Sequence, residues 1–476
     1  MDCAGPQCDV EKGEQQMTRI AIVEDETAVR EQLAGYVQRY TRQYGTPFEV
    51  TEFADGMEIL EDYRPQFDII FLDVEMKRLN GMETAQRIRD FLPVARAIIG
   101  VKNLKIITFG PRPQDFFACN APIKGLYELG VEVEENSELD LLVAYKEHAD
   151  DPRIPEVCAD MAAEMGEGKY YPDLLARMAQ FELTLLDWAE AHKGSKKYVA
   201  FADKCWPAFP SQFGFEPCYV NSRLVSRGIP VSCEVDIYGA LSEYIGMCVS
   251  GDTVTLLDIN NSVPKYIYDE DIAGKFDYKL TDTFMGFHCG NTPSCKMCAD
   301  RAVKYQLIQH RLLEPAGSEP DFTRGTLEGD IAASDITFYR LQCDSEGNLR
   351  AYIAQGEVLP VATRSFGGIG IFAIPEMGRF YRHVLIQKRY PHHGAVAFGH
   401  HGKALFELFK LLGIQFTHAA LRQRRFQHGI RVRSGGGGIG VRVEERRSTP
   451  AVAIAAIHAV EHFACRHRGL IAVRRT

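Results

Sequence analysis

The chain has 476 residues, 46% of them hydrophobic and 25% charged, with a net charge of −10, which suits about three domains and a soluble protein with a sizeable core. No run of about 18 apolar residues occurs, and the N-terminal MDCAGPQCDVEKGEQQM carries acids where a secretory signal has an apolar centre, so a cytoplasmic protein with no membrane contact is expected. The 13 cysteines are odd in number and scattered, as reduced thiols are; Cys295 and Cys298 alone stand at zinc spacing and, with no second such pair, read as two free thiols.

Residues 1–16 read as a disordered leader. TRIAIVEDETAVREQLAGYVQRY is then an apolar strand ending in acids, followed by a helix with Val29, Leu33 and Val37 on one face. FEVTEFADGMEIL repeats the strand-then-helix rhythm, and FDIIFLDVEMKRLNGMETAQRIR adds a third strand, a loop and a helix. Three such units predict the start of a parallel, doubly wound sheet. Glu24 and Asp25 after the first strand and Asp73 after the third would meet at its carboxyl edge. Three carboxylates there suit Mg2+ and a phosphoryl acceptor. IVEDE and IIFLDVEMKRLNGMETAQRIR resemble the receiver domain of response regulators, over residues 17–93. That resemblance implies that Asp73 is the phosphoacceptor, that Glu24 and Asp25 hold Mg2+, and that a histidine kinase is the partner. A receiver continues with a strand ending in Ser or Thr and another ending in Lys-Pro, and neither arrives in register. LKIITFG offers Thr108, but the GPRPQDFF after it departs from the pattern, so an incomplete domain without a working switch is expected.

A second α/β region follows, divided into a central domain over 94–250 and a C-terminal domain over 251–417. LKIITFGPRPQDFFACN is a strand and turn, IKGLYELGVEVEENS a helix ending at Gly130 and a strand, and DLLARMAQFELTLLDWAEAH a long amphipathic helix. GIPVSCEVDIYGALSEYIG places Glu234 and Asp236 just before a helix starting near Ile237, and TVTLLDIN is a β-branched strand with Asp258 at its end. An acid there is costly to bury unpaired and is expected to face solvent or a cation. In PHHGAVAFGHHGKALFELFKLLGI, GAVAF is a short buried strand, Gly399 to Gly402 a tight turn, and KALFELFKLLG a helix closed by Gly413. His400, just past the strand's carboxyl end, takes the usual ligand-facing position of a parallel sheet. Two carboxylates and an imidazole suit manganese, iron or zinc and leave positions open for a substrate's adjacent oxygens. Each residue also has a plain structural role open to it: a helix-starting Glu as dipole partner, a strand-end Asp as turn former, histidines among glycines as surface turn residues.

CEVDIYGALSEYIG, TLLDIN, GFHCGN, FGGIGIFAI and PHHGAVAFGHHGKALFELFKLLGI, in that order, resemble the L-fucose isomerase-like family of sugar isomerases from about residue 94 to 417. The resemblance implies a metal-dependent aldose–ketose isomerase acting through an enediolate. Glu234, Asp258 and His400 would hold Mn2+, with Fe2+ or Zn2+ as alternatives, and Glu234 and Asp258 would exchange protons with a monosaccharide. His288 and Asn291 of GFHCGN, with Arg364 and Tyr390, are candidates to line the sugar pocket. A homo-oligomer is implied as well. The expected fold class is thus α/β: a doubly wound partial receiver-like sheet, an α/β domain, and a mixed α/β C-terminal domain of the L-fucose isomerase type.

From Ala419 onward the chain holds twelve arginines, no lysine and three glutamates, a local balance of +9 that leaves −19 for the rest. Residues 418–476 read as a disordered or non-native tail; without aromatic interleaving or a helix-turn-helix pattern, nucleic-acid binding is not expected. FGGIGIFAI and SGGGGIGVRV lack the lysine of a phosphate loop, so neither predicts a nucleotide site. No Pro-, Gly- or Ser-rich spacer separates the receiver-like and isomerase-like parts. The alternatives to an isomerase are a phosphorylation-dependent response regulator acting through Asp73, and an inactive fusion.

Overall fold

A computed structural model of the protein describes residues 17–61, 66–113, 116–119, 122–260, 262–306, 323–420 and 471–473. The leader over 1–16 and nearly all of the arginine-rich tail lie outside the described residues. Two compact units divide between Ala95 and Arg96; the strand Ile471–Val473 belongs with the first.

In the first unit β1 (Thr18–Val23), β2 (Phe48–Phe53) and β3 (Ile69–Leu72) pair in parallel, with Ile20 opposite Val50 on one side and Ile69 on the other. The central strand IAIV is buried on both faces, hence its unbroken apolar run. Helix Thr27–Tyr44 ends at Gly45, whose φ of 71° is the left-handed stop that glycine supplies most easily. Helix Gly56–Leu60 starts at Asp55, whose Oδ1 accepts from the Met57 amide at 2.8 Å. Ala21, Val23, Ile59, Phe67, Leu72 and Ile88 form the core. The strand order 2-1-3 is that of a flavodoxin-like sheet, and Ile471–Val473 pairs in parallel with the free side of β3. Helix Gly81–Lys102 carries Pro93 two residues before the division between units.

The second unit opens with a parallel sheet of order β5-β4-β6-β7, formed by β4 (Leu104–Phe109), β5 (Glu132–Asn136), β6 (Tyr198–Ala202) and β7 (Val231–Ser232). Thr108 therefore sits in this sheet and not in the receiver-like one. Helix Pro172–His192 lays Leu174, Met178, Phe181 and Leu185 against Phe109, Phe201 and Tyr219.

A larger sheet follows, built from β8 (Val254–Ile259), β9 (Thr283–His288), β10 (Ala302–Tyr305), β11 (Arg324–Asp330), β12 (Ser334–Cys343), β13 (Leu349–Val358), β14 (Gly368–Ala373), β15 (His393–Phe398) and β16 (Gln415–Ala420). Among the described residues its order is β10-β11-β14-β9-β8-β15-β12-β13-β16. β13 also pairs with β14, at Glu357–Ala373 and Val358–Phe372, which closes six strands into a barrel-like ring. Leu257, Phe284, Ile336, Phe338, Tyr352, Phe372 and Val396 pack among these strands. Gly394 is required here, because a Cβ would stand 2.1 Å from the Phe338 ring. β16 runs to Ala420, past the start of the tail drawn at 418. Among the described residues no helix is long and apolar enough to cross a membrane.

Candidate active site

Glu234 is delivered by a strained turn. After β7 the chain makes a single turn over Cys233–Val235 in which Glu234 has φ 63° and Val235 φ 55°. Two successive non-glycine residues in the left-handed region, one of them β-branched, cost about 1–3 kcal/mol each and persist only where their surroundings hold them. The Val235 amide donates to the Asp203 carbonyl at 2.7 Å. On the other side Asp236 caps helix Ile237–Ser250, its Oδ1 accepting from the Gly239 amide at 2.8 Å.

Three neighbouring strands bring in the remaining groups. β9, β8 and β15 lie side by side and antiparallel, with Asp258 opposite Phe287 on one side and His393 on the other. His288 ends β9 and His393 begins β15, so both imidazoles come to the end of β8 that carries Asp258. His393 Nε2 stands 2.9 Å from Glu234 Oε2 and 3.1 Å from Asp258 Oδ1. Ligand atoms of Asp258, His288 and His393 all lie within 4.8 Å of one another. Glu234 Oε2, Asp258 Oδ1 and His393 Nε2 are buried and, despite their closeness, none is aligned for a hydrogen bond among the described residues. Atoms about 3 Å apart are spaced as adjacent ligands of one ion bound at about 2.1–2.2 Å. Two carboxylates with one or two imidazoles are a donor set that manganese, iron(II) and zinc accept. The residues present therefore fit a divalent metal.

Behind His393 stands a buried support. Its Nδ1 is 2.8 Å from Asp236 Oδ2, and Arg340 grips Asp236 with two hydrogen bonds, Nη1 to Oδ2 at 2.6 Å and Nη2 to Oδ1 at 2.7 Å. Gln342 Oε1 in turn accepts from Arg340 at 2.9 and 3.1 Å. Arg340, His393 and Asp236 are 0%, 0% and 1% exposed, so the pair of charges is fully desolvated. With Nδ1–H donating to the carboxylate, the Nε2 electron pair is turned toward Glu234 and Asp258, as in the carboxylate–histidine–metal arrangement. Burial alone would raise Asp258, but His393, with His288 and His392 adding to it, holds its pKa at about 2. Burial opposes charge on His393, yet the carboxylates of Asp258 and Asp236 outweigh it and raise its pKa well above the ordinary imidazole value, so a metal ion at Nε2 would have to displace a proton there. Cys119 Sγ lies 3.7 Å from His393 Nδ1; burial first, and the Asp236 charge after it, push this thiol up to about 12 and keep it protonated.

His400 is not with Glu234 and Asp258: its Nε2 lies 3.6 Å from Asp335 Oδ1 and 3.4 Å from the Gly356 carbonyl. β15 runs antiparallel to β8, so the start of β15, and not its end, meets Asp258, and His393 takes the place expected for His400. His288 is at the centre, its Nδ1 accepting from the Cys289 amide at 3.0 Å. Asn291, 2% exposed, keeps both amide atoms buried without a hydrogen-bond partner among the described residues. Arg364 is not brought to the centre: it pairs with Glu270 at 2.9 Å and Asp271 at 2.7 Å. Tyr390 packs against Tyr352 and beneath Arg350, in the wall of a cleft treated below. Arg340 and Asp236 escape a reading by spacing, because their pairing spans distant segments; a charged residue inside the apolar strand ITFYRLQC is the one local sign.

In the first unit Glu24, Asp25 and Asp73 bring carboxylate oxygens within 4.8 Å of one another at the carboxyl ends of β1 and β3. Burial raises the pKa of Glu24, opposed by the hydrogen bond from the Glu26 amide and reinforced by Asp73 and Asp25. Lys77 Nζ lies 3.5 Å from Asp25. Three acids so placed also fit a divalent cation.

Residues 286–419 match the family model described as L-fucose isomerase, C-terminal domain, and residues 20–105 match the response regulator receiver domain. The sulfoquinovose isomerases of Priestia aryabhattai and Priestia megaterium are each 25% identical over 365 residues, which cover 75% of this chain and 72% of theirs. That of Clostridium sp. (strain MSTE9) is 26% identical over 308 residues, 61% of this chain and 59% of its own. His288, Asn291, Arg364, Tyr390, His393 and His400 fall inside the isomerase match, and Glu24, Asp25 and Asp73 inside the receiver match. The chain thus carries a segment similar to a response regulator receiver domain and another similar to the C-terminal domain of L-fucose isomerase.

Proposed function

We propose that the second unit is an aldose–ketose isomerase of monosaccharides centred on Glu234, Asp258 and His393. The observation that carries this reading is the convergence of three buried ligand atoms, one from each residue, that satisfy no hydrogen bond among the described residues. The sulfoquinovose isomerase names of the relatives agree with it. Mn2+, or Fe2+ or Zn2+ in its place, would be held by these three residues with His288 beside them, and would polarise two adjacent substrate oxygens as a Lewis acid.

The chain's own groups do the rest. An aldose becomes a ketose when a proton leaves the carbon beside the carbonyl and returns one carbon along, through an enediolate. Glu234 and Asp258 flank His393 and serve as the base that takes the proton and the acid that returns it. Asp258, held ionised, is in the form that can accept a proton. Asp236 and Arg340 fix the His393 ring, and Asn291 offers a buried amide to a substrate hydroxyl. The test is C2 proton–deuterium exchange in a panel of aldoses by the full chain, after chelation and after manganese add-back. Exchange lost and restored, and absent in Glu234→Gln, is expected; exchange indifferent to metal and to Glu234 refutes the reading.

The acid cluster of the first unit favours a second activity: phosphorylation of Asp73 by a histidine kinase, with Mg2+ on Glu24 and Asp25. Acetyl phosphate with magnesium should add one phosphoryl group that Asp73→Asn abolishes. An unmodified chain would remove this reading.

A further inference from the structure

His392 stands apart from the other imidazoles of the isomerase centre. His288 and His393 are 4% and 0% exposed, whereas the His392 side chain is 39% exposed, with its Nε2 3.7 Å from Asp258 Oδ1. Strand register puts it there: His393 opens β15 opposite Asp258, and one residue earlier the His392 carbonyl accepts from the Ile259 amide at 2.9 Å. Its ring packs edge-to-face against Phe116, 5.6 Å between centroids, and against His393 at 4.8 Å. On its open side lies a cleft of about 1170 Å3 whose wall also includes Gln342, Arg350, Tyr390 and Pro391. His392 thus borders both the reacting groups and a space wide enough for the body of a sugar.

The enediolate step requires an open-chain carbonyl, and an aldose in water is mostly a closed ring. Opening breaks the C1–O5 bond: O1 loses its proton and becomes the carbonyl oxygen, and the C1–O5 electron pair goes to O5, which takes up a proton. We propose that His392 is the acid of this step, giving a proton to the ring oxygen of a sugar held at Glu234, Asp258 and His393, while Asp258 takes the proton from O1. This rests on the isomerase reading of that centre. O1 and O5 are bonded to the same carbon, so the group that serves O5 has to stand close to the group that serves O1, on the side where the ring lies. His392 meets both conditions with respect to Asp258. An imidazole releases a proton from one ring nitrogen and accepts one at the other. The proton left on Asp258 therefore passes to His392 across the 3.7 Å between them, and the pair ends with as many protons as it began. His393 is not placed for this, because its Nδ1 is engaged by Asp236 and its Nε2 faces Glu234 and Asp258.

The test is mutarotation, which needs ring opening and closing but no exchange at C2. Freshly dissolved single anomers of D-glucose, L-fucose and sulfoquinovose are followed by polarimetry with the manganese-loaded full chain, and C2 exchange is read on the same samples. At least one sugar should mutarotate faster than in buffer. His392→Phe, which keeps a ring against Phe116, and His392→Gln, which keeps a polar group, should each lower that acceleration about 100-fold, a usual share for one general acid. Manganese binding by calorimetry should stay within about threefold of the parent, and C2 exchange of D-glyceraldehyde, too short to close a ring, should change by less than about threefold. No acceleration by the parent, an unchanged acceleration in both variants, or an equal fall on D-glyceraldehyde overturns the proposal. So does loss of manganese binding in both variants, which would make His392 a ligand. Acceleration that both variants lose, with no C2 exchange on any sugar, refutes the isomerase reading alone.

Discussion

Glu243 lies on helix Ile237–Ser250, 1% exposed, and neither carboxylate oxygen has a hydrogen-bond partner among the described residues. Burial, reinforced by the Asp236 charge, pushes its pKa from an ordinary 4.5 to about 8, against the opposing pull of His393 and Arg340. Below pH 4.5 both folded and unfolded chains hold the proton and the group is neutral to stability. Between 4.5 and about 8 the unfolded chain releases it and the folded chain keeps it, so stability falls by about 1.4 kcal/mol per pH unit, or about 3 kcal/mol by pH 7. Above about 8 both are ionised and the loss levels off. Glu243→Gln keeps the shape and removes the titration. Its buried amide carries its own cost of about 1–3 kcal/mol, so the slope against pH, and not the level, is the diagnostic. Both tryptophans, Trp188 and Trp206, lie in the second unit, and urea unfolding followed by their fluorescence reports that unit alone. The variant should gain on the parent steadily from pH 5 to 8. Parallel pH dependences for the two proteins would refute the argument and mean that Glu243 is ionised and solvated in the folded chain.

His393→Ala should abolish tight manganese binding while His400→Ala leaves it within about threefold, as read by calorimetry; the reverse pattern would restore His400 as the ligand. Arg340→Met strands Asp236 as a buried unpaired charge and should cost about 3–5 kcal/mol in the same urea assay. It should also weaken manganese about 10- to 100-fold by releasing the His393 ring, and an unweakened site would show that the support is not needed. Val235→Gly relieves a left-handed β-branched residue and should leave stability within about 1 kcal/mol or raise it, while C2 exchange falls because Glu234 is less firmly aimed. Faster exchange in that variant would count against a role for the strained turn.

Much of the fold is legible in the sequence where local pattern and global structure agree. The three parallel strands of the first unit each end in a recognisable turn or acid, and helix Pro172–His192 shows its buried stripe at helical spacing. Glu234 and Asp258 are legible too, because an acid at a strand end or before a helix stands out against apolar neighbours. The histidine is not, since two pairs of histidines bracket one strand and the choice between His393 and His400 depends on whether that strand runs with or against β8. Direction within a sheet is set by strands far away in sequence, and a rule learned from parallel sheets selects the wrong end. Arg364 misleads for a different reason: a basic residue in a glycine-rich loop resembles a substrate ligand, while the acids that hold it, Glu270 and Asp271, lie in another segment.

The antiparallel run β9-β8-β15 also sets when the centre can exist during folding. β8 and β9 are near neighbours in the chain, whereas β9 to β14 all lie between β8 and β15 in sequence. Such non-local pairing is slow, because the loop entropy is lost before the contacts form. Asp258 and His288 can thus approach one another early, whereas His393 arrives with the closing strand. An ion that requires all of them binds the finished sheet and not its precursors. At a free concentration one hundred times its Kd it would favour the finished state by about 2.7 kcal/mol. Metal supply during synthesis would then govern how much chain survives proteolysis, independently of any turnover.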